Sequence, residues 1–303
     1  IGLASVGYVA ISFGAVLFLY AAIGVVNALR GGNFMEVGEN AQWAVTLITY
    51  ILSLIVPFGI YALCIQMPIG AAFPFRKMRG DITVGGIFVG LGAGIVASYA
   101  TSYLEQALGL FGIGISMPEL EIPTALPAKI IYIITMTVAP AFIEEMVFRG
   151  IVMQSLRRFG DMFALVSSAI IFGIFHLNLI QTPYAFILGL CIGYFVMRTG
   201  SLWVGVIMHF LNNSIATVLT LAEPYCSEEM FLFINLAYSL AAVMCGIIAL
   251  CLLLVKYRDM FRFGDAPGVL SSGKRAAYFL TSPALIIAML TAVVLTAQYI
   301  EIL

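Results

Sequence analysis

The stretch ITMTVAPAFIEEMVFRGIVMQSL, residues 134–156, places Glu144, Glu145 and Arg149 within a run that is otherwise apolar. Charged side chains at the centre of a membrane cost several kcal/mol each, and those that occur there face a bundle interior or a water-filled cavity. The stretch therefore predicts a membrane-spanning helix that carries a functional site.

Two other apolar segments carry polar side chains in a similar setting. The segment FGIFH ends in His176, and the segment HFLNN contains His209 and Asn213. The chain has two histidines in all, and both fall within these segments. We expect each polar cluster to lie on a membrane helix of its own.

The composition of the chain is that of a membrane protein. Of its 303 residues, 62% are hydrophobic and 10% are charged, and the mean hydropathy of +1.09 is far outside the soluble range. Runs of about 20 apolar residues, enough to cross a hydrocarbon core of about 30 Å, recur along the chain. We predict an all-α polytopic transmembrane helical bundle of about eight to nine spans, forming a single membrane domain over residues 1–303. The candidate spans are residues 4–29, 43–66, 82–104, 128–155, 161–179, 183–198, 202–222, 230–255 and 276–300.

The basic residues predict the orientation of the bundle. Alternate loops hold most of the 14 lysines and arginines, and cytoplasmic loops are the ones enriched in these residues. With nine spans the N-terminus is cytoplasmic, and we take the first apolar run as a span rather than a signal peptide. Residues 105–125 are either an external loop or a segment that dips back into the membrane. From the composition and the short loops we expect a prokaryotic plasma membrane and no nucleic-acid partner.

Helical spacing indicates which polar side chains share a face. Glu145 and Arg149 are four residues apart, so they can form an ion pair within one helix and lower the cost of burying both charges. Glu144 is rotated by about 100° from Glu145 and needs a partner on another helix. His209 and Asn213 are again four residues apart and project together.

Depth along the helices tests whether these groups can meet. At 1.5 Å per residue from the basic end, Glu144 lies roughly 20 Å deep and His176 roughly 22 Å deep. His209 lies only about 12 Å deep, so its helix must be tilted or displaced to bring it to the other two.

The order EExxxR, FxxxH and HxxxN, each on a separate membrane helix, resembles the CAAX protease and bacteriocin-processing family, called CPBP or Abi. The resemblance covers about residues 125–222. The motifs stand here as Glu144-Glu145-Met146-Val147-Phe148-Arg149, Phe172-Gly173-Ile174-Phe175-His176 and His209-Phe210-Leu211-Asn212-Asn213.

This resemblance implies an intramembrane endopeptidase. It further implies that Glu144 and His176 activate a water, and that His209 and Asn213 hold the oxyanion. Such roles suit the residue types, because peptide hydrolysis needs a base for water and donors for the tetrahedral oxyanion. We expect Glu145, held by an ion pair, to support the structure. The implied substrate is a peptide or a lipidated protein reached from the membrane lipid; the oligomeric state is left open.

Other functions compete with a cofactor-free protease. Glu144, His176 and His209 could instead bind zinc with a water as the fourth ligand, although no HExxH motif is present. A non-enzymatic membrane scaffold or bacteriocin-immunity protein is a second alternative. A transporter is a third, disfavoured because the sequence has no repeats of broken helices.

Overall fold

The computed structural model describes residues 1–30, 37–115, 121–178, 180–264 and 271–302. Nearly all of these residues are helical, and two three-residue strands pair with each other. The helices are α1 Gly2–Leu29, α2 Glu39–Cys64, α3 Ile69–Ala72, α4 Gly80–Leu110, α5 Leu126–Phe159, α6 Asp161–Ile174, α7 Gln181–Thr199, α8 Leu202–Ala222, α9 Glu228–Lys256, α10 Ser272–Leu280 and α11 Pro283–Ala297. The strands are β1 Ile113–Ile115 and β2 Ile300–Ile302, and a 3₁₀ turn, Glu223–Tyr225, follows α8.

The all-α polytopic prediction is confirmed, with fewer spans than nine. Within the described ranges, seven helices are long and apolar enough to cross a membrane, or eight if a bent pair counts as one span. The pair is α10 with α11, whose axes differ by 53° at a break beside Pro283. Helix α6 has 14 residues, about 21 Å at 1.5 Å per residue, and is too short to cross alone.

The predicted span 161–179 is therefore wrong at its C-terminal end, because the local backbone conformation ends the helix at Ile174. After α6 the backbone of Leu177 adopts a φ of +50°, which an α-helix does not accommodate. The side chain of Asn178 then accepts hydrogen bonds from the backbone N–H groups of Ile180 and Gln181, at the start of α7. His176 consequently lies in the turn between two helices and not inside a span.

The hydrophobic core surrounds the motif helices. The ring of Phe148 on α5 contacts those of Phe58, Phe172 and Phe175, with centroids 5.2–6.0 Å apart. Phe58, Phe148 and Phe172 are buried. Edge-to-face packing of this kind holds α2, α5 and α6 in contact beside the polar side chains.

Loops rich in lysine and arginine meet at one end of the bundle. Arg198 donates to the backbone carbonyls of Asp259 and Arg262, and Ser201 donates to that of Arg76. Lys256 forms an ion pair of 2.6 Å with Asp81. The loops that the sequence assigned to one side thus lie together; that this side is cytoplasmic stays a prediction.

Part of the 105–125 segment forms the opposite end. Residues 105–110 complete α4, and β1 pairs antiparallel with β2. Glu39 at the start of α2 accepts hydrogen bonds from Thr124 and Ala125, which ties the beginning of α5 to α2. Residues 116–120 lie outside the described residues.

Candidate active site

Helix α5 carries the carboxylates on a backbone that is not uniformly α-helical. Its successive segments are α-helical Leu126–Ile133, π-helical Ile134–Val138, α-helical Ala139–Glu144, π-helical Glu145–Val152, α-helical Met153–Leu156 and 3₁₀ Arg157–Phe159. The first π segment precedes Pro140, whose ring lacks an N–H and clashes with an ordinary preceding turn. The second begins at Glu145, and π segments within helices are frequent at functional sites.

Side chains satisfy backbone carbonyls of the second π segment. Ser168 on α6 donates to the carbonyl of Phe148 at 2.9 Å, and Gln154 donates to that of Arg149 at 3.1 Å. In lipid, freed backbone groups must find such partners, since water is absent. The wider helix is thus stabilised where it presents Glu144 and Glu145.

Glu145 is the centre of a buried ion cluster. Its Oε1 accepts from Arg149 Nη1 at 2.8 Å and from His209 Nδ1 at 2.9 Å. Glu145 is 0% exposed and Arg149 is 1% exposed. Arg149 also donates to the carbonyl of Gly189 at 3.3 Å and lies 4.2 Å from the ring centroid of Phe172. The cluster joins α5 to α6, α7 and α8.

Glycine at position 205 makes room for this cluster. A Cβ added to Gly205 would lie 2.6 Å from Glu145 Oε2 and 2.7 Å from a methyl group of Val196. A side chain there would collide with the carboxylate. Helix α8 therefore approaches α5 closely enough for His209 to reach Glu145.

Glu144 lies between α2 and α8. Its Oε1 accepts a hydrogen bond of 2.6 Å from the hydroxyl of Tyr50. Its Oε2 is buried and has no hydrogen-bond partner among the described residues, although His209 Nε2 is 3.7 Å away. Buried polar atoms without a partner are rare and call for an explanation, such as a catalytic role or a bound water.

Both histidine rings have one nitrogen whose role is determined by its partner. His176 Nδ1 lies 2.9 Å from the carbonyl oxygen of Phe172, which only accepts, so Nδ1 carries the proton. In the neutral ring, His176 Nε2 is then an acceptor. His209 Nδ1 likewise donates, because Glu145 is ion-paired with Arg149 and therefore accepts.

Glu144 and His176 line one cavity of about 180 Å³. Its other lining residues include Tyr8 and Tyr50, the latter bonded to Glu144. The volume is large enough for several waters. The side chains of Glu144 and His176 thus share one small cavity.

Asn213 occupies a different position from the other predicted site residues. It lies one turn beyond His209 on α8 and lines a second cavity of about 510 Å³, which Asn212 and Tyr184 also line. Asn212 donates to Tyr184 at 2.8 Å and to Asn213 Oδ1 at 3.2 Å. Asn213 is not among the described residues that line the cavity of Glu144 and His176.

The structure brings His209 to the carboxylates despite the depth difference estimated from the sequence. The estimate treated 161–179 as one span and α5 as a regular α-helix. In the structure α6 ends at Ile174, two segments of α5 are π-helical, and His209 contacts both Glu144 and Glu145. The contacts of His209 with both carboxylates are the ones for which the sequence estimate required a tilted or displaced α8.

Within the described part of the chain, no group of three or more His, Cys, Asp and Glu residues could hold a metal ion. The zinc alternative based on Glu144, His176 and His209 stays a prediction.

Sequence reasoning missed two contributors to the site. Tyr50 belongs to none of the three motifs. It is nevertheless a polar group within an apolar helix, α2, which is the feature that drew attention to the two histidines. Phe172 is the first residue of the FxxxH motif, but the sequence assigned no role to its ring, which is buried and lies under the Arg149 guanidinium. A cation over a desolvated aromatic ring is worth about 2 kcal/mol.

The part of the chain that contains the motifs is similar to a known protein family. Residues 126–215 match a family described as type II CAAX prenyl endopeptidase Rce1-like. Searches of curated proteins and of solved structures gave no match. The matched segment contains the EExxxR, FxxxH and HxxxN motifs, and it agrees with the extent of the resemblance drawn from the sequence. The predicted resemblance to a CAAX-protease family is thereby confirmed for residues 126–215 of this integral membrane protein.

Proposed function

We propose that this protein is an intramembrane endopeptidase that hydrolyses a peptide bond with a water activated by Glu144 and His176. One observation carries the proposal: Glu144, with a buried and unpartnered Oε2, lines the same cavity as His176. The family match supports a CAAX endopeptidase activity. The residue roles are those that the sequence resemblance implies, and the shared cavity of Glu144 and His176 supports the roles of these two residues.

Two acceptors are available for the protons of a water. Glu144 Oε2 has a free lone pair, and His176 Nε2 is an acceptor in the neutral ring. As the water attacks the scissile carbonyl carbon, one of these groups takes its proton. The same proton is then available for the leaving amine, so that hydrolysis leaves the enzyme unchanged.

The oxyanion of the tetrahedral intermediate would be held from α8, in a substrate that extends from the cavity of Glu144 to the second cavity, which Asn213 lines. His209 can donate from Nε2 when the ring is doubly protonated, and Asn213 can donate from its side-chain amide. Asn212 bonds to Asn213 Oδ1, which orients the amide and leaves its nitrogen to donate elsewhere. Glu145, bonded to His209 Nδ1, is a positioning residue for that ring.

The substrate we propose is a membrane-associated or lipidated protein or peptide. Prenylated CAAX sequences are the first candidates, because the matched family is described as a prenyl endopeptidase. A site among membrane helices suits a substrate whose lipid is already in the bilayer.

A cleavage assay with and without a chelator tests this function. We expect purified protein in lipid vesicles to cleave a farnesylated CAAX peptide, to contain no stoichiometric zinc and to retain its activity in EDTA. About one zinc per chain, with activity lost on chelation and restored by zinc, would establish the metalloprotease alternative. An absence of cleavage of any peptide in a library would favour the scaffold or immunity function.

Asn213→Ala is expected to lower kcat by a factor on the order of 10²–10³ with little change in KM, because an oxyanion donor acts mainly on the transition state. Asn212→Ala, which removes the orienting bond to Asn213 and the hydrogen bonds with Tyr184, leaves the Asn213 amide in place and is expected to have a smaller effect. Single-turnover cleavage and a separate binding measurement on both variants provide the check. If Asn213→Ala weakens binding and leaves the chemical step unchanged, the second cavity binds substrate and Asn213 is not an oxyanion donor.

We further propose that the end with the basic loops and the N-terminus faces the cytoplasm. Cys226 follows the 3₁₀ turn after α8, at the opposite end. A membrane-impermeant thiol reagent should then label Cys226 in intact cells; labelling only after lysis would reverse the orientation.

A further inference from the structure

One contact of the proposed base comes from outside the segment that matches the family. Tyr50 lies on α2, whereas the matched segment is 126–215. Its hydroxyl donates to Glu144 Oε1 at 2.6 Å, within the range of short hydrogen bonds from a hydroxyl to an ionised carboxylate. Neither the motifs nor the family match assigns a role to this residue.

The contact distinguishes the two oxygens of Glu144. Oε1 is held by Tyr50, while Oε2 is left without a hydrogen-bond partner among the described residues and approaches His209. A carboxylate that is free to rotate would exchange its two oxygens. With Tyr50 holding Oε1, Oε2 keeps a fixed position 3.7 Å from His209 Nε2, and the cavity that Tyr50 and Glu144 both line also contains His176.

We propose that Tyr50 is a positioning residue of the active site, which acts by holding Glu144 in the orientation that accepts a proton from water. The inference rests on the proposed role of Glu144. It explains why a tyrosine hydroxyl lies at this depth of the apolar helix α2. It also makes α2 part of the catalytic unit, together with the helices that carry the motifs.

A second tyrosine on the same helix provides a matched control. The hydroxyl of Tyr61 donates to Ser155 Oγ at 3.2 Å, so it too joins α2 to α5. Ser155 is not among the residues that line the Glu144 cavity. Tyr61→Phe therefore removes an equivalent hydroxyl between the same two helices without touching the proposed base.

The experiment compares Tyr50→Phe, Tyr61→Phe, Glu144→Gln and the double variant Tyr50→Phe/Glu144→Gln on a farnesylated CAAX peptide. We expect Tyr50→Phe to lower kcat by about 10- to 100-fold, since a small misplacement of a reacting group costs that much. We expect its KM to stay within about twofold of the wild type, since Tyr50 orients the base and does not add to ground-state binding. Tyr61→Phe should keep the wild-type kcat. Tyr50→Phe and Tyr61→Phe should have similar melting temperatures.

The double variant separates positioning from direct participation. If Tyr50 acts through Glu144, the double variant should turn over no more slowly than Glu144→Gln alone. An additive loss would overturn the positioning role. A wild-type kcat for Tyr50→Phe, with Glu144→Gln inactive, would refute the role of Tyr50 and leave the proposed function intact. Full activity of Glu144→Gln would refute the proposed base, and the inference about Tyr50 with it.

Discussion

Glu144→Gln is expected to reduce peptide hydrolysis by a factor on the order of 10²–10⁴, the usual cost of losing a general base. Glutamine keeps the shape of the side chain and retains an oxygen that can accept from Tyr50, so the fold should be preserved. Its amide cannot take a proton from water at the position of Oε2. Single-turnover cleavage of a farnesylated CAAX peptide in lipid vesicles measures the effect on the chemical step.

Glu39→Gln is a suitable control for this variant. Glu39, the first residue of α2, also joins α2 to the α5 segment through its carboxylate, but it accepts from Thr124 and Ala125 at the end of the bundle and does not line the cavity. Its replacement should leave kcat unchanged, whatever it does to stability. Near-normal turnover by pure Glu144→Gln protein would show that another group activates the water.

The membrane architecture could be predicted because hydropathy and span length are properties of the local sequence. The exceptions depend on details that hydropathy does not contain. The run 161–179 is apolar throughout, yet the positive φ of Leu177 and the side-chain hydrogen bonds of Asn178 end α6 early. The run 276–300 is likewise apolar, yet the helix breaks and bends beside Pro283.

The candidate site could be predicted where it depends on spacing within one helix. Glu145 and Arg149 pair because residues four apart meet on a helix, and they do so here even within a π segment. Residue spacing within one helix could not predict the contacts between different helices. That His209 joins Glu145, and that Tyr50 joins Glu144, depends on how α2, α5 and α8 pack.

The two neighbouring glutamates of α5 are held in different environments. Glu145 Oε1 accepts from two cationic or polar donors, Arg149 and His209, and Glu145 is not exposed. Glu144 has one donor, Tyr50, and lines a cavity that Glu145 does not line, although the second oxygen of each glutamate lacks a hydrogen-bond partner among the described residues. Adjacent residues of the same type are thus suited to different tasks, one to hold a histidine in place and the other to accept a proton.

Arg149→Ala should show how much the fold depends on the buried cluster. Removing one partner of a buried ion pair costs about 3–5 kcal/mol, because the remaining charge is left without compensation. The variant also loses the contacts of Arg149 with the Gly189 carbonyl and the Phe172 ring. We expect a large decrease in the free energy of unfolding, measured by detergent-induced unfolding in mixed micelles, together with a loss of activity as His209 is displaced.

Arg157→Ala is the matched control, since Arg157 and Asp161 also form an ion pair between residues four apart at 2.8 Å. That pair is partly exposed, with Arg157 39% and Asp161 21% accessible, and exposed pairs contribute about 0–1 kcal/mol. The double variant Glu145→Gln/Arg149→Met removes both charges and should recover part of the stability lost in Arg149→Ala. It should not recover activity, because glutamine does not hold His209 as a carboxylate does. A fully stable Arg149→Ala protein, or a double variant less stable than Arg149→Ala, would show that the pair does not support the fold through charge compensation.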